Sequence, residues 1–241
     1  MVGEPAAYSG TENLEVMAEA KNYNRYLMSL IAAQLRPGDN VLDFGAGVGT
    51  FAAELHGDGV RLVAVEPDPA LSRRLSERGI PTHRSAAPVA GASMDLVYTL
   101  NVLEHIADDD AAAKDIARVL KSGGRLIAYV PAFNVLWTAM DDRVGHIRRY
   151  RRRGLVALLR AAGFRITYVL AVPGLADFAR GERHFETGEL VSFTSALVAA
   201  GCGTVVHSEV MTAPRSRTVP SFYSNSVSSD VVRIDAANCH L

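Results

Sequence analysis

Val41-Leu42-Asp43-Phe44-Gly45-Ala46-Gly47-Val48-Gly49-Thr50 is the stretch on which the fold turns. A short run of branched and aromatic residues stops at a glycine-rich bend, and a helical pattern opens at Thr50. Glycine permits positive φ and lets a ligand come close to the backbone. A helix that starts at such a bend presents unpaired N–H groups and the positive end of its dipole. Any strand–turn–helix nucleotide fold fits that much. Two features narrow it. Asp43 lies two residues before the first glycine, and the glycines are spaced G-x-G-x-G rather than G-x-G-x-x-G. A carboxylate against the turn repels a pyrophosphate at short range. It suits a ligand that carries positive charge and hydroxyls.

Outward from this bend, short apolar runs alternate with longer amphipathic stretches. Strands are expected at Asn40–Phe44, Arg61–Val65, Met94–Thr99, Arg125–Val130, Phe164–Val172 and Thr204–Met211, with a weaker one near Thr82–Ser85. Helices are expected over residues 12–35, from Thr50, and at Pro67–Arg78, Asp109–Leu120, Arg153–Ala162 and Gly188–Ala200. Pro37-Gly38 ends the first helix, and Gly123-Gly124 ends the one before Arg125. Residues 131–150 read as irregular. Alternation of this kind predicts an α/β fold, doubly wound, with a parallel sheet between two helical layers. The near-continuous apolar strands agree with burial on both faces.

Glu66 ends the second strand, about 20 residues beyond the glycines, where an acid can accept hydrogen bonds from both ribose hydroxyls. Asp68 reads as a cap for the helix that follows.

The composition sets the class. The 241 residues are 49% hydrophobic and 21% charged, with a formal net charge of −1. That describes an ordinary globular chain, long enough to bury roughly 70–75% of its unfolded surface. Near-neutral charge argues against a nucleic-acid partner. No apolar run approaches the roughly 18 residues of a transmembrane helix, and the first residues lack the basic start and apolar core of a signal peptide. Cys202 and Cys239 form neither a disulfide framework nor a zinc cluster, and no metal is expected. Cytoplasmic residence follows as the expectation. From about Ala213 the text is serine-rich and aperiodic, which reads as a disordered tail; a strand over Val227–Ile234 is the alternative. No pattern in the sequence sets an oligomeric state.

VLDFGAGVGT, LVAVEPD, SMDLVYTLNVLEHI and LKSGGRLIAYVPA, in that order, resemble the motifs of class I S-adenosylmethionine-dependent methyltransferases. The resemblance covers about residues 36–172. It implies a three-layer α/β/α sandwich around a mostly parallel seven-stranded sheet whose last strand is antiparallel. It implies S-adenosyl-L-methionine lying across the carboxyl ends of the strands. Gly45, Ala46, Gly47 and Gly49 would meet its methionine and ribose portion, with Asp43 near by. Glu66 would hold the ribose, flanked by Pro67, and Asn101 and Val102 would stand at the methionine end. Relatives often carry an acid for the adenine amino group after the third strand. Here Ser85 stands at about that place, so a hydroxyl or a backbone group would serve instead. Residues 1–35 would form a helical cap, with Tyr23 reaching the cofactor and Arg25 a lesser candidate. Residues 36–212 would form the catalytic domain and 213–241 the tail.

Such an enzyme displaces the methyl group in line, and positioning supplies much of the rate. A base is needed only where the acceptor must lose a proton. The candidates lie in Asn134–Tyr150, after the fifth strand. His146 is the expected base or substrate anchor, its ordinary pKa suiting proton removal near neutrality. Trp137 and Met140 would wall an apolar pocket, with His105 and Arg149 as further substrate contacts and Asp141 and Asp142 as neighbouring acids. The text VPAFNVLWTAMDDRVGHIRRYRRRGLVALLRAAGF also resembles a bacterial subgroup often encoded beside glycosyltransferases. Arg143, Arg148, Arg149, Arg151, Arg152 and Arg153 would suit an anionic small-molecule acceptor, in specialised metabolism. A solvated helix start or contact with an anionic membrane are the other readings of these arginines. Two other functions compete. A nicotinamide-dependent oxidoreductase would want G-x-G-x-x-G and a second catalytic set such as Tyr-x-x-x-Lys, and both are missing. A non-catalytic S-adenosylmethionine-binding protein would need the same cofactor site alone.

Overall fold

The computed structural model describes residues 20–172 and 203–210. Seven strands form one sheet: β1 (Asn40–Phe44), β2 (Arg61–Val65), β3 (Thr82–His83), β4 (Met94–Leu100), β5 (Leu120–Pro131), β6 (Phe164–Val172) and β7 (Gly203–Val210). Their order is β3-β2-β1-β4-β5-β7-β6. Strands β3, β2, β1, β4 and β5 pair in parallel, and β7 runs antiparallel between β5 and β6. This is the sheet the motifs implied, with the antiparallel strand inserted one place in from the edge.

Alternation along the strands builds two cores. Val41, Leu96, Tyr98, Ile127 and Tyr129 face α1 (Lys21–Ala32), α2 (Thr50–Gly57) and α3 (Pro69–Glu77), meeting Tyr23, Leu27, Ile31, Leu55 and Leu75. Leu42, Phe44, Val97, Leu126 and Val130 face the other way. They meet Ile116 and Val119 of α4 (Asp109–Val119) and Leu155 and Leu159 of α6 (Arg152–Ala161). Neighbouring residues of one strand thus serve opposite layers, as the period of two requires.

Several elements differ from the sequence reading. Helix α1 ends at Ala32, short of Pro37-Gly38. Helix α3 begins at Pro69 rather than Pro67, because the Asp68 carboxylate accepts the N–H groups of Ala70 and Leu71. Gly123-Gly124 does not separate helix from strand. Helix α4 stops at Val119, and β5 runs from Leu120 through the glycines to Pro131, with a register shift opposite Met94 and Leu96. The stretch read as irregular contains a 3-10 turn at Asn134–Leu136 and a short helix, α5 (Ala139–Val144). Thr138 and Asp141 cap α5 reciprocally, the carboxylate accepting the Thr138 N–H at 2.7 Å. Residues 12–19, the helix expected at Gly188–Ala200 and the serine-rich tail lie outside the described residues. Among the described residues no helix is long and apolar enough to cross a membrane.

Candidate cofactor and acceptor site

Parallel pairing sets the carboxyl ends of β1, β2, β4 and β5 on one edge. The glycine turn, Glu66, Asn101 and the segment after Pro131 therefore converge there, as open α/β sheets arrange their ligands. The N–H groups of Gly45 and Ala46 bond to the Val65 carbonyl at 2.8 and 3.1 Å. Oε2 of Glu66 accepts the Gly47 N–H at 2.7 Å, and Oε1 accepts the Asp68 N–H at 2.9 Å. The carboxylate thus ties the bend to the turn before α3. Burial raises the pKa of Glu66, and the two N–H bonds partly offset this. Each of its oxygens retains a second lone pair for an incoming hydroxyl.

Gly45 has φ +90°, and a Cβ there would stand 2.4 Å from a Val102 methyl. A side chain would close the approach between the bend and the β4 turn. Asp43 is buried behind the bend and accepts the Tyr98 hydroxyl at 2.9 Å. Burial pushes its pKa up to about 7 despite that bond. Asn101 adopts the left-handed region at φ 55°, which asparagine tolerates. Its N–H bonds to the Tyr129 carbonyl, and its Nδ2 donates to the Tyr23 hydroxyl at 3.0 Å. Tyr23 is itself buried, edge-on to Tyr129 with centroids 6.0 Å apart. Pro67 and Ser85 are exposed, and Arg84 ties the loop after β3 to the Pro67 carbonyl at 3.3 Å. Arg25 is exposed on α1 beside Asn22. A backbone cradle that a Cβ would fill, next to a buried acid with acceptor capacity to spare, fits S-adenosylmethionine.

The acceptor candidates gather around Asp141. Its carboxylate takes both arms of the Arg149 guanidinium at 2.7 Å and lies 2.7 Å from Nδ1 of His146. Burial opposes ionisation of Asp141, but the bonds from Arg149, His146 and Thr138 hold its pKa below the usual carboxylate range. His105 Nδ1 lies 3.2 Å from the Gly145 carbonyl, and its ring meets that of His146 edge to face at 4.8 Å. Burial, with His146 alongside, pulls the pKa of His105 down to about 4. Glu104 is 0% exposed, and burial pushes its carboxyl up to about 8. Trp137 donates its indole N–H to Asp142 at 3.0 Å, and Met140 lies exposed on α5. Arg148 pairs with Asp109, whereas Arg143, Arg151, Arg152 and Arg153 are exposed.

The structure thus joins Asp43, the glycine bend, Glu66, Asn101, Val102 and Tyr23 in one patch, and His105, His146 and Arg149 in another. Trp137 and Met140 stand on the segment entering α5, and Ser85 stands in its own loop. Glu104 entered the sequence reading only within the motif Leu103-Glu104-His105-Ile106, and Asp141 was given no specific role. A short acid–histidine pair directly after a strand was the available signal for the first. The capping pattern Thr138-x-x-Asp141 was the signal for the second.

Residues 18–169 match the methyltransferase-domain family. An uncharacterized methyltransferase of Mycobacterium sp. strain KMS is 33% identical over 99 residues, spanning 39% of this chain and 39% of that protein. A demethylmenaquinone methyltransferase of Mycolicibacterium vanbaalenii is also 33% identical over 99 residues, spanning 40% of this chain and 43% of that protein. The match therefore spans about two-fifths of the length of these curated relatives. A geranyl diphosphate methyltransferase, solved in complex with geranyl diphosphate and sinefungin, shares the fold. Its TM-score is 0.60 at 15% identity, over 78% of this chain and 77% of that one. The matched span reaches from the start of α1 into β6 and takes in the glycine bend, Glu66 and the turn after β4. The chain belongs to the methyltransferase-domain family, the class I S-adenosylmethionine-dependent methyltransferases.

Proposed function

We propose that this chain transfers the methyl group of S-adenosylmethionine to a small-molecule acceptor. The observation that carries the reading is the buried Glu66 carboxylate, bonded to Gly47 beside the Gly45 cradle. When bound, the cofactor supplies a methyl group already activated on a sulfonium. Gly45, Ala46 and Gly47 offer it backbone, Glu66 accepts the ribose hydroxyls, and Pro67 and Ser85 flank the adenine side. Asn101 and Val102 border the methionine end. Asp43 places an acid behind the bend, which favours a cation over a pyrophosphate. Helix α1 acts as the cap, with its Tyr23 held by Asn101.

On the acceptor side, His146 is the group that meets the substrate, as base or anchor. Asp141 accepts from its Nδ1 and so leaves Nε2 as the proton acceptor, and Arg149 holds Asp141 in place. His105 packs against the working ring, and Trp137 and Met140 supply apolar wall. The exposed arginines 143 and 151–153 favour an acceptor carrying a carboxylate, phosphate or diphosphate. The demethylmenaquinone and geranyl diphosphate enzymes support a small organic acceptor, and the second supports an anionic one. Cytoplasmic specialised metabolism suits the low cysteine count and the likeness to enzymes encoded beside glycosyltransferases.

Calorimetric titration tests the cofactor half. S-adenosylhomocysteine should bind and NADH should not. Glu66→Ala should weaken S-adenosylhomocysteine by at least roughly 1.5 kcal/mol, the scale of a charge-assisted hydrogen bond. Unchanged affinity in that variant removes Glu66 from the site, and absence of binding at millimolar ligand overturns the function.

A further inference from the structure

The 3-10 turn after β4 (Leu103–His105) and the loop after α5 bring Glu104, His105 and His146 together. One carboxylate oxygen and one nitrogen from each ring lie within 4.8 Å of one another. Nε2 of His146 is 3.7 Å from Oε1 of Glu104. In a tetrahedral zinc site, bonds of about 2.0–2.2 Å set neighbouring ligand atoms roughly 3.4 Å apart. One edge of the triangle is already close to that length, and the other ligand atoms would have to draw in by side-chain rotation.

Two further observations point to an ion. Glu104 is 0% exposed, and neither of its carboxylate oxygens has a hydrogen-bond partner. A buried polar group left without a partner is costly, and a charged one more so. A cation between Glu104 and the two rings would remove that cost. The second observation is the outer surroundings of the histidines. Nδ1 of His146 faces the Asp141 carboxylate at 2.7 Å, and Nδ1 of His105 faces the Gly145 carbonyl at 3.2 Å. Donation from Nδ1 puts the lone pair of each neutral ring on Nε2. Metal-binding histidines characteristically donate their other N–H to a carboxylate or a backbone carbonyl, and here there is one of each. Asp141 is fixed in turn by the Arg149 fork.

We propose that Glu104, His105 and His146 form a divalent transition-metal site, for which zinc(II) is the best-matched ion. Two imidazoles and one carboxylate suit zinc and its transition-metal neighbours, and a single carboxylate offers too few oxygens for calcium or magnesium. No cysteine is required, so the cysteine count that argued against a zinc cluster does not bear on this one. Three protein ligands leave a fourth position open, the pattern of catalytic rather than structural zinc. Glu104 lies three residues beyond Asn101, so the open position belongs to the edge where the acceptor is expected. The inference rests on the acceptor-site reading, and in it His146 meets the acceptor as a metal ligand rather than as a lone base.

The test uses the full chain, stripped with chelator, dialysed against zinc(II) and assayed for bound metal by mass spectrometry. Cobalt(II) serves in parallel as the visible-spectrum probe. One zinc per chain and a cobalt spectrum of low coordination number are expected. His105→Gln and His146→Gln should each abolish stoichiometric binding, and Asp141→Asn should weaken it by about 10–100-fold. Circular dichroism and S-adenosylhomocysteine affinity, read on the same samples, report folding and the cofactor site. Zinc binding that survives both histidine variants places the ion elsewhere and overturns the site, as does a folded wild-type chain that takes up no zinc. If S-adenosylhomocysteine binds and zinc does not, only this inference falls. If zinc binds and S-adenosylhomocysteine does not, the methyltransferase reading falls instead. Should a glutamine variant not fold, the cobalt affinity of Asp141→Asn decides, because that residue is no ligand: a fall of about 10–100-fold supports the site, and an unchanged affinity overturns it.

Discussion

Asp43 shows how a single buried acid can burden the fold that encloses it. It is 3% exposed, its bonded partner is the Tyr98 hydroxyl, and Glu66 adds negative charge near by. Its pKa stands at about 7 in the folded chain, above the ordinary value of 3.8. A carboxyl raised on folding contributes full stability below its unfolded pKa. It loses that contribution as pH climbs to the folded one. Asp43 should therefore lower stability progressively between about pH 4 and pH 7. Asp43→Asn keeps an acceptor for Tyr98 and cannot ionise, so its advantage over wild type should grow across that window. Urea unfolding of both proteins at several pH values measures it, and a constant difference would show that Asp43 titrates normally. At the same scale, the places of Glu66 and Asp43 were readable from the sequence, since both lie near the carboxyl ends of parallel strands. For Glu104 the acid–histidine pair after β4 marked only the place, and gave no sign that the carboxylate is sealed from water.

Among the elements, the link from α1 to β1 is held by one buried cation. The Arg125 guanidinium on β5 donates to the Gln34 carbonyl at 2.6 Å and to Asp39 at 2.5 Å, and both side chains of the ion pair are under 10% exposed. Asp39 also accepts the Arg36 N–H at 2.8 Å. Removing one partner of a buried pair strands the other charge, at about 3–5 kcal/mol. Arg125→Met should cost that much in denaturant unfolding, and adding Asp39→Asn should recover a large part. A loss below about 1 kcal/mol would show that water reaches Asp39. The same residue explains part of the misplaced boundary near Gly123-Gly124. Glycines after a helix read as a terminator. Yet the chain turns into β5 before them, and the shifted register opposite Met94–Leu96 carries the strand through to Arg125. Pairing with β4 decided that boundary, and pairing is not written in local propensity.

For the whole molecule, the cofactor should act as a brace. The proposed contacts come from the ends of β1, β2 and β4 and from α1, so occupancy stabilises the folded state against an unfolded one that lacks the site. At a free concentration a hundredfold above its dissociation constant, S-adenosylhomocysteine should add about 2.7 kcal/mol. A thermal melt should show the rise, with no change from NADH at equal concentration. A melting temperature indifferent to S-adenosylhomocysteine under saturating titration would mean that the ligand does not favour the native fold.

The sequence by itself determined the alternation of elements, the parallel half of the sheet, the glycine bend and the acid after β2. These depend on local period and on strand ends, both of which are written in neighbouring residues. It also carried the family motifs, whose spacing follows from those elements. Tertiary structure alone decided which residues meet across the chain: Tyr23 with Asn101, Arg125 with Asp39, and His146 with Glu104. Glu104 and His146 lie 42 residues apart, and they meet only because the chain leaves β4, crosses through α4 and β5, and returns to the same edge. Such contacts arise from sheet order and crossover packing. No window of sequence contains that information.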